Sequence, residues 1–429
     1  MYKEFMKRKL MYAIMAVVAM GALSSCEEED FNKAYDEKTS LDSPYLFSEG
    51  YRDSISYPYD LATPAASWLS MVKDNTPVCQ LSIPGTHDTM TGMGFYQPTL
   101  NYIFNVTAIS QLNTFQDQME MGIRFFDLRP VVSIDTLQTD PKKKKILRLA
   151  HGISEINVTF EESLDMMQKY LNNHPSEFFI VKIQCDNGIE NQSTWAGLYA
   201  DVVSKPKYAS LFIPSSAWTP GITVGDMRSK ILVLNRFDLR DKSGSTMSMP
   251  GVYCTWTDED ADIKEALDPT AQKDCGLFKM NNEDDTSTTP ATPAVPDAKL
   301  WVQDYFKTNK NVRLENKKKT VIDMMNDART EIAAGNNTWI INHCSAYTEV
   351  SPRGYLTNAC IIHPLVIKNL QDNPGTTVGI MPIDMACHDY IHCIINGGTP
   401  YTSDYLYGFH PLSQSLTNLL IKSNKPYFK

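Results

Sequence analysis

The chain has no surplus of positive charge. Its 50 acidic residues outnumber 40 lysines and arginines, for a formal net charge of -10. Such a chain is a poor candidate for nonspecific nucleic-acid binding, which needs a basic footprint. It also lacks a global basic field to hold it on a membrane, although a local patch remains open. Internal repeats are absent. Eight cysteines follow Cys26, at 79, 185, 254, 275, 344, 360, 387 and 393, and none form a CxxC pair. An envelope location would permit disulfides, but spacing alone assigns no pairing. The apolar stretch from Leu10 to Leu23 runs about 14 residues, too short to span a bilayer core of roughly 30 Å as a stable helix.

That stretch belongs to a targeting segment. Lys7, Arg8 and Lys9 precede it, and Leu23-Ser24-Ser25-Cys26 follows it. Basic, apolar and small-residue regions in this order read as an export signal, and the last four residues resemble a bacterial lipobox with Cys26 as the lipidation site. The acidic run Glu27–Asp30 resembles the surface-export signals of some Gram-negative lipoproteins. The expectation is a signal peptide over 1–25, a lipidated tether over 26–65, and one catalytic domain over 66–429. The protein is expected in the cell envelope, as a monomer anchored to the outer membrane and exposed at the surface.

From about residue 66, short apolar runs alternate with helical patterns. The runs are Val78–Ile83, Ile123–Leu128, Ile146–Ala150, Phe178–Ile183, Ile231–Leu234, Gly251–Trp256, Trp339–Ile341 and Val378–Met381. Runs this short, rich in Val, Ile and Phe, suit strands buried on both faces. Thr159 stands three residues before Glu162, the capping-box spacing, and Phe160, Leu164, Met167 and Leu171 then recur at helical intervals before Pro175. Eight strands with helices between them predict an α/β fold, a (β/α)8 TIM-type barrel that is irregular or incompletely closed. Two stretches read as insertions: a solvated hairpin tip at Lys142–Lys145, and a mobile loop at Asn281–Lys299.

Polar residues gather where the apolar runs end. They are His87 and Asp88 after the first, Asp127 and Arg129 at the second, His151 after the third, Arg236 after Ile231–Leu234, and Asp384 after the last. In such a barrel the C-terminal strand ends converge on one mouth. Two imidazoles, several carboxylates and two guanidinium groups there make an acid–base site with an anion clamp. Each residue alone is more often structural than catalytic; the set in order carries the reading.

The segments SIPGTHD, GIRFFDLR, HG and GDMRSKILVLNRF resemble the successive motifs of the bacterial phosphatidylinositol-specific phospholipases C. The resemblance runs from about residue 70 to 425 and is loose from about 259 to 375. It implies cleavage of phosphatidylinositol, or of a glycosyl-phosphatidylinositol, to diacylglycerol and a 1,2-cyclic inositol phosphate. His87 would be the general base on the inositol 2-hydroxyl, with Asp384 orienting it. His151 would be the general acid on the leaving oxygen, coupled to Asp88, and Arg129 would bind the phosphate. Arg236, Asp127 and Asp258, the last in a Trp256-x-Asp258 pair, would serve the headgroup. The family's lysine near the end of the fourth strand aligns with Gln184, and Lys182, two residues earlier on the same face, stands as its substitute.

Calcium-dependent eukaryotic relatives carry Glu-x-Asp where this chain has Asp127-x-Arg129. A guanidinium cannot ligate calcium and brings its own charge, so no metal or other cofactor is expected. The alternatives are a metal-dependent glycerophosphodiester phosphodiesterase and a noncatalytic surface lipoprotein that binds lipid or glycan. The half metal site in Cys387-His388-Asp389-x-x-His392-Cys393 reads as the packing face of a helix.

Overall fold

The computed structural model describes residues 65–96, 108–135, 139, 145–185, 192–237, 249–254, 256, 272–278, 298–308, 311–348, 352–387 and 411–429. The chain divides into the units Met1–Tyr57 and Pro58–Lys429, and every described residue lies in the second. Asp258, the lipobox with Cys26, and all of the Cys387–Cys393 motif except Cys387 lie outside the described residues.

Eight strands run in one direction: β1 (Ile83–Thr86), β2 (Phe125–Leu128), β6 (Phe179–Gln184), β7 (Ile231–Arg236), β8 (Val252–Cys254), β10 (Lys299–Gln303), β11 (Trp339–Asn342) and β12 (Ile380–Ile383). A ninth, β9 (Gln272–Phe278), lies antiparallel between β8 and β10. The ring closes in the order β1-β12-β11-β10-β9-β8-β7-β6-β2. The closing seam holds only two pairs, Gly85 with Phe125 and Thr86 with Phe126. The barrel is therefore closed and irregular. Its parallel strands are mostly apolar, as in most parallel sheets covered on both faces; all four positions of β1, β2, β11 and β12 are buried.

The closing seam explains one glycine. A Cβ on Gly85 would stand 2.8 Å from Phe125 Cδ1, inside van der Waals contact, so a larger residue would push the two strands apart at the base of the site.

Three expectations are corrected. The run at Ile146–Ala150 is not a barrel strand. It forms β4 (Lys145–His151) in a separate antiparallel sheet with β3 (Pro130–Ile134) and β5 (Ser154–Thr159). Apolar content marks a strand but not its pairing partner. The run at Val78–Ile83 opens as a 3-10 turn over Val78–Gln80 behind Pro77, with Gln80 N donating to Pro77 O, and becomes a strand only at Ile83. Strand β10 is not among the predicted runs, and its first residue, Lys299, is the last of the segment predicted as a loop.

The helix read from its capping box is present. In α2 (Phe160–Asn173), Glu162 N donates to Thr159 Oγ1 at 3.1 Å, and Thr159 N donates to Glu162 Oε2 at 2.7 Å. Its predecessor α1 (Phe115–Glu120) lies before β2, α3 (Gln192–Val203) and α4 (Val224–Met227) lie between β6 and β7, α5 (Asn311–Ala333) joins β10 to β11, and α6 (Pro352–Asp372) joins β11 to β12. The last helix, α7 (Ser413–Ser423), follows β12.

The strand starts are tied by a buried ion pair. Arg124, just before β2, and Glu177, just before β6, both have fully buried side chains, with Arg124 Nε donating to Glu177 Oε2 at 2.9 Å. The guanidinium also donates to the carbonyls of Met119, Ile123 and Ala66. Removing one member leaves an uncompensated buried charge, at a cost of about 3–5 kcal/mol. Glu177→Ala should lose that much stability in urea unfolding, while its folded fraction keeps wild-type catalytic constants, because the pair lies at the opposite end of the barrel from the cleft.

Candidate active site

The C-terminal strand ends surround a cleft of about 190 Å³ lined by His87, Asp88, Arg129, His151, Gln184, Arg236, Asp304, Phe306, Ala346, Tyr347 and Tyr355. His87 follows β1, and its Nδ1 lies 2.9 Å from Asp384 Oδ1, just past β12. Asp384 Oδ2 accepts the Ala346 N–H at 3.1 Å. With Nδ1–H donating to Asp384, His87 Nε2 is left for chemistry.

Asp88 is the hub. It adopts φ 43°, ψ 50°, a left-handed conformation that asparagine and aspartate tolerate better than most residues. Its Oδ2 lies 3.3 Å from both His87 Nε2 and His151 Nε2, and its Oδ1 lies 2.7 Å from Arg129 Nε. His151, at the end of β4, has its Nδ1 2.8 Å from the Ala108 carbonyl. That contact requires a proton on Nδ1 and turns Nε2 toward Asp88. The two imidazoles sit 6.5 Å apart, centroid to centroid, nearly perpendicular.

Behind this layer the register pairs Asp127 of β2 with Lys182 of β6. Lys182 Nζ lies 3.0 Å from Asp127 Oδ1, while Arg129 Nη2 lies 2.9 Å from Oδ2. Burial pushes the Asp127 carboxyl up, but Arg129 and Lys182 outweigh it and hold the pKa well below the usual carboxylate range. Asp127 and Lys182 thus support the cleft from behind rather than lining it. Gln184 does line it, and its Oε1 accepts from Arg236 Nη1 at 2.7 Å. Arg236 also stacks over Trp256, 4.1 Å from the ring centroid, and donates to the Trp256 carbonyl.

Burial first, then the charge of Arg129, pushes the His87 pKa well below 6.5. The imidazole is therefore neutral at pH 7, as a base must be before it acts. An anionic phosphodiester in the cleft would raise that pKa toward the working pH. Burial and the Asp88 charge push Asp384 well above the usual carboxylate range, opposed by the Ala346 N–H, Lys317 and Arg129.

His87, Asp88 and Asp127 offer three ligand atoms within 4.8 Å of one another, a geometric candidate for a metal. The donor set fits one poorly. Both Asp127 oxygens already face cations, Asp88 Oδ1 faces Arg129, and a divalent ion would have to compete with that guanidinium.

Asp304 and His343 were not anticipated. Asp304 Oδ2 accepts from Trp256 Nε1 at 2.9 Å. Burial pushes its carboxyl up, but His343, Lys182 and Arg236 outweigh it and lower the pKa. The buried His343 follows β11, its ring 6.2 Å from His87. Asp304 follows β10, which is not among the predicted apolar runs, and His343 follows Trp339–Ile341 in NHCSA, so only placing all the strand ends finds them.

No family model matches the chain. It is 24% identical to a Staphylococcus aureus 1-phosphatidylinositol phosphodiesterase over 213 residues, 49% of this chain and 62% of that protein. It is 28% identical over 173 residues to the Listeria monocytogenes protein of the same name, 39% of this chain and 48% of that one. The chain thus matches about half to three-fifths of the length of these relatives. A solved structure of the S. aureus phosphatidylinositol-specific phospholipase C superposes with TM-score 0.57 at 19% identity, covering 83% of this chain and 97% of that one. The chain is thus similar in sequence to bacterial 1-phosphatidylinositol phosphodiesterases. At that identity the structural likeness speaks for the fold alone, a TIM-type barrel.

Burial lowers the pKa of His343 to about 4. Its unfolded value is near 6.5. Below that value the unfolded chain binds a proton that the folded chain refuses, so stability falls as pH drops from about 6.5 to about 4. The contribution is on the order of 3 kcal/mol. His343→Asn should flatten the stability curve over this window by about one proton, read from urea unfolding at a series of pH values.

Proposed function

We propose that the chain cleaves phosphatidylinositol-type lipids to diacylglycerol and inositol 1,2-cyclic phosphate by metal-independent acid–base catalysis. The observation that carries this reading is the pair of imidazoles whose Nε2 atoms both lie 3.3 Å from one Asp88 oxygen, beside Arg129. An in-line displacement at phosphorus needs a base for the attacking oxygen and an acid for the leaving one, and both rings line one cleft with centroids 6.5 Å apart. The names of the sequence relatives support the substrate class.

In the first half of the reaction His87 Nε2 takes the proton of the inositol 2-hydroxyl, whose oxygen forms a bond to phosphorus. Asp384, on Nδ1, stabilises the resulting imidazolium. His151 Nε2, protonated and steadied by Asp88, gives a proton to the diacylglycerol oxygen as its bond to phosphorus breaks. Arg129 stabilises charge on the nonbridging oxygens. An internal nucleophile removes the need to position water. Arg236 and Gln184 line the wall that would face the inositol hydroxyls, with Trp256 packed under Arg236 and Lys182 and Asp127 behind.

Residues 1–26 support a further reading, a lipoprotein attached at Cys26 to the outer membrane and working as a monomer. Metabolic labelling with palmitate, lost in Cys26→Ala, is the expected result.

Two measurements test the chemistry. His87→Ala and His151→Ala should each lower turnover at least about 100-fold. On a nitrophenyl leaving group, which departs without a proton, His151→Ala should recover much of its activity and His87→Ala should not. Equal losses for His151→Ala on both substrates would contradict the division of labour.

The second concerns charge. Wild-type activity on phosphatidylinositol vesicles should survive EDTA and gain little from calcium. Arg129→Lys should stay strongly impaired, because an ammonium cannot reach Asp88 and Asp127 together as the planar guanidinium does. Silence in EDTA with rescue by calcium would move the chain to the metal-dependent alternative.

A further inference from the structure

Lys317 is a buried cation that the proposed reaction does not use. It lies on α5, its side chain fully removed from solvent, and an ammonium in such a place is costly unless it is bonded and balanced. Its Nζ donates to the His343 carbonyl at 2.6 Å and to Gln303 Oε1 at 3.3 Å. Gln303 Nε2 donates to the same carbonyl at 2.7 Å and to Asn342 Oδ1 at 2.9 Å, and Asn342 Nδ2 returns to α5 at the Val321 carbonyl. The chain from 342 to 346 is thus held at its start by Lys317 and Gln303. It is held in the middle by Cys344 N on the Pro382 carbonyl and Asn358 Nδ2 on the Cys344 carbonyl. It ends at Ala346, whose N–H binds Asp384 Oδ2.

We propose that Lys317 is a positioning residue for the base: it clamps the 342–346 segment that holds Asp384, and supplies counter-charge that favours the ionised form of Asp384 opposite His87.

The charges around it agree. The side chains whose charge acts on Lys317 are Cys344, Asp304 and Asp384. Burial pushes the Cys344 thiol up to about 12, so it stays neutral. Asp304 has Lys182 and Arg236 as cations, and Arg129 is engaged by Asp88 and Asp127. Asp384, raised by burial and by Asp88, draws on Lys317 ahead of Arg129. Burial lowers Lys317 itself to about 8, so it remains mostly charged at pH 7. An Asp384 that took up a proton could no longer balance the imidazolium that His87 becomes.

The proposal rests on the roles given to His87 and Asp384, and its first readout needs no substrate. In wild type the His87 Nδ1 proton, bonded to Asp384, should give a downfield NMR resonance. In Lys317→Met it should move upfield or be lost to exchange. On phosphatidylinositol vesicles the variant should lose roughly tenfold in kcat with KM within about twofold, and the acid limb of kcat should shift upward by about half a pH unit or more, since a lost cation makes Asp384 easier to protonate. Gln303→Leu breaks the clamp but keeps the charge. It should reproduce the change in the resonance without the shift of the acid limb, and it decides the clamp if Lys317→Met does not fold. A changed resonance in a protein whose wild type has no activity on the lipid would support the clamp and reject the proposed reaction. Folded variants with a wild-type resonance, or a Lys317→Met acid limb that does not move, would overturn the proposal.

Discussion

Asp88 Oδ2 meets two imidazole Nε2 atoms at equal distance while Oδ1 holds a guanidinium. A buried carboxylate with those three neighbours fixes much of the site. Both histidines present Nε2 to it and are held through the other nitrogen: His87 donates Nδ1–H to Asp384, and His151 donates Nδ1–H to the Ala108 carbonyl. It needs a permanent cation, which Arg129 supplies, and Arg129 in turn is oriented by Asp127 and Lys182. The left-handed backbone at Asp88 brings this carboxylate into the cleft directly after β1, a local strain that the surrounding contacts must outweigh.

The barrel meets that demand by dividing its ends. At the strand starts, the Arg124–Glu177 pair and its carbonyl contacts lock β2 to β6. At the strand ends, charged groups from β1, β2, β6, β7, β10, β11 and β12 converge at or just behind the cleft. His151 arrives from outside the ring, on the β3–β4–β5 sheet packed beside it. The proposed base is therefore carried by the barrel and the proposed acid by a separate three-stranded sheet.

Much of this was legible beforehand. His87, Asp88, Arg129, His151 and Asp384 each follow or end an apolar run, and a barrel brings such ends together, so chain order sufficed to gather them. The capping box at Thr159 and Glu162 was legible because it is local. Pairing was not: Ile146–Ala150 looks like any other strand, and only its antiparallel partners show that it stands outside the ring. Alternation fixes the face of Lys182 but not its depth, which the register sets against Asp127. Asp304, His343 and Lys317 were invisible because their importance comes from contacts across β10, β11 and α5, far apart in sequence.

The central claim is that two histidines around one carboxylate drive an intramolecular attack without a metal. Phosphorus NMR of the products formed from phosphatidylinositol vesicles in EDTA tests it most directly. The account predicts that the first resonance to appear is that of the five-membered inositol 1,2-cyclic phosphate. A first product that is acyclic, or no product until a divalent cation is added, would contradict it.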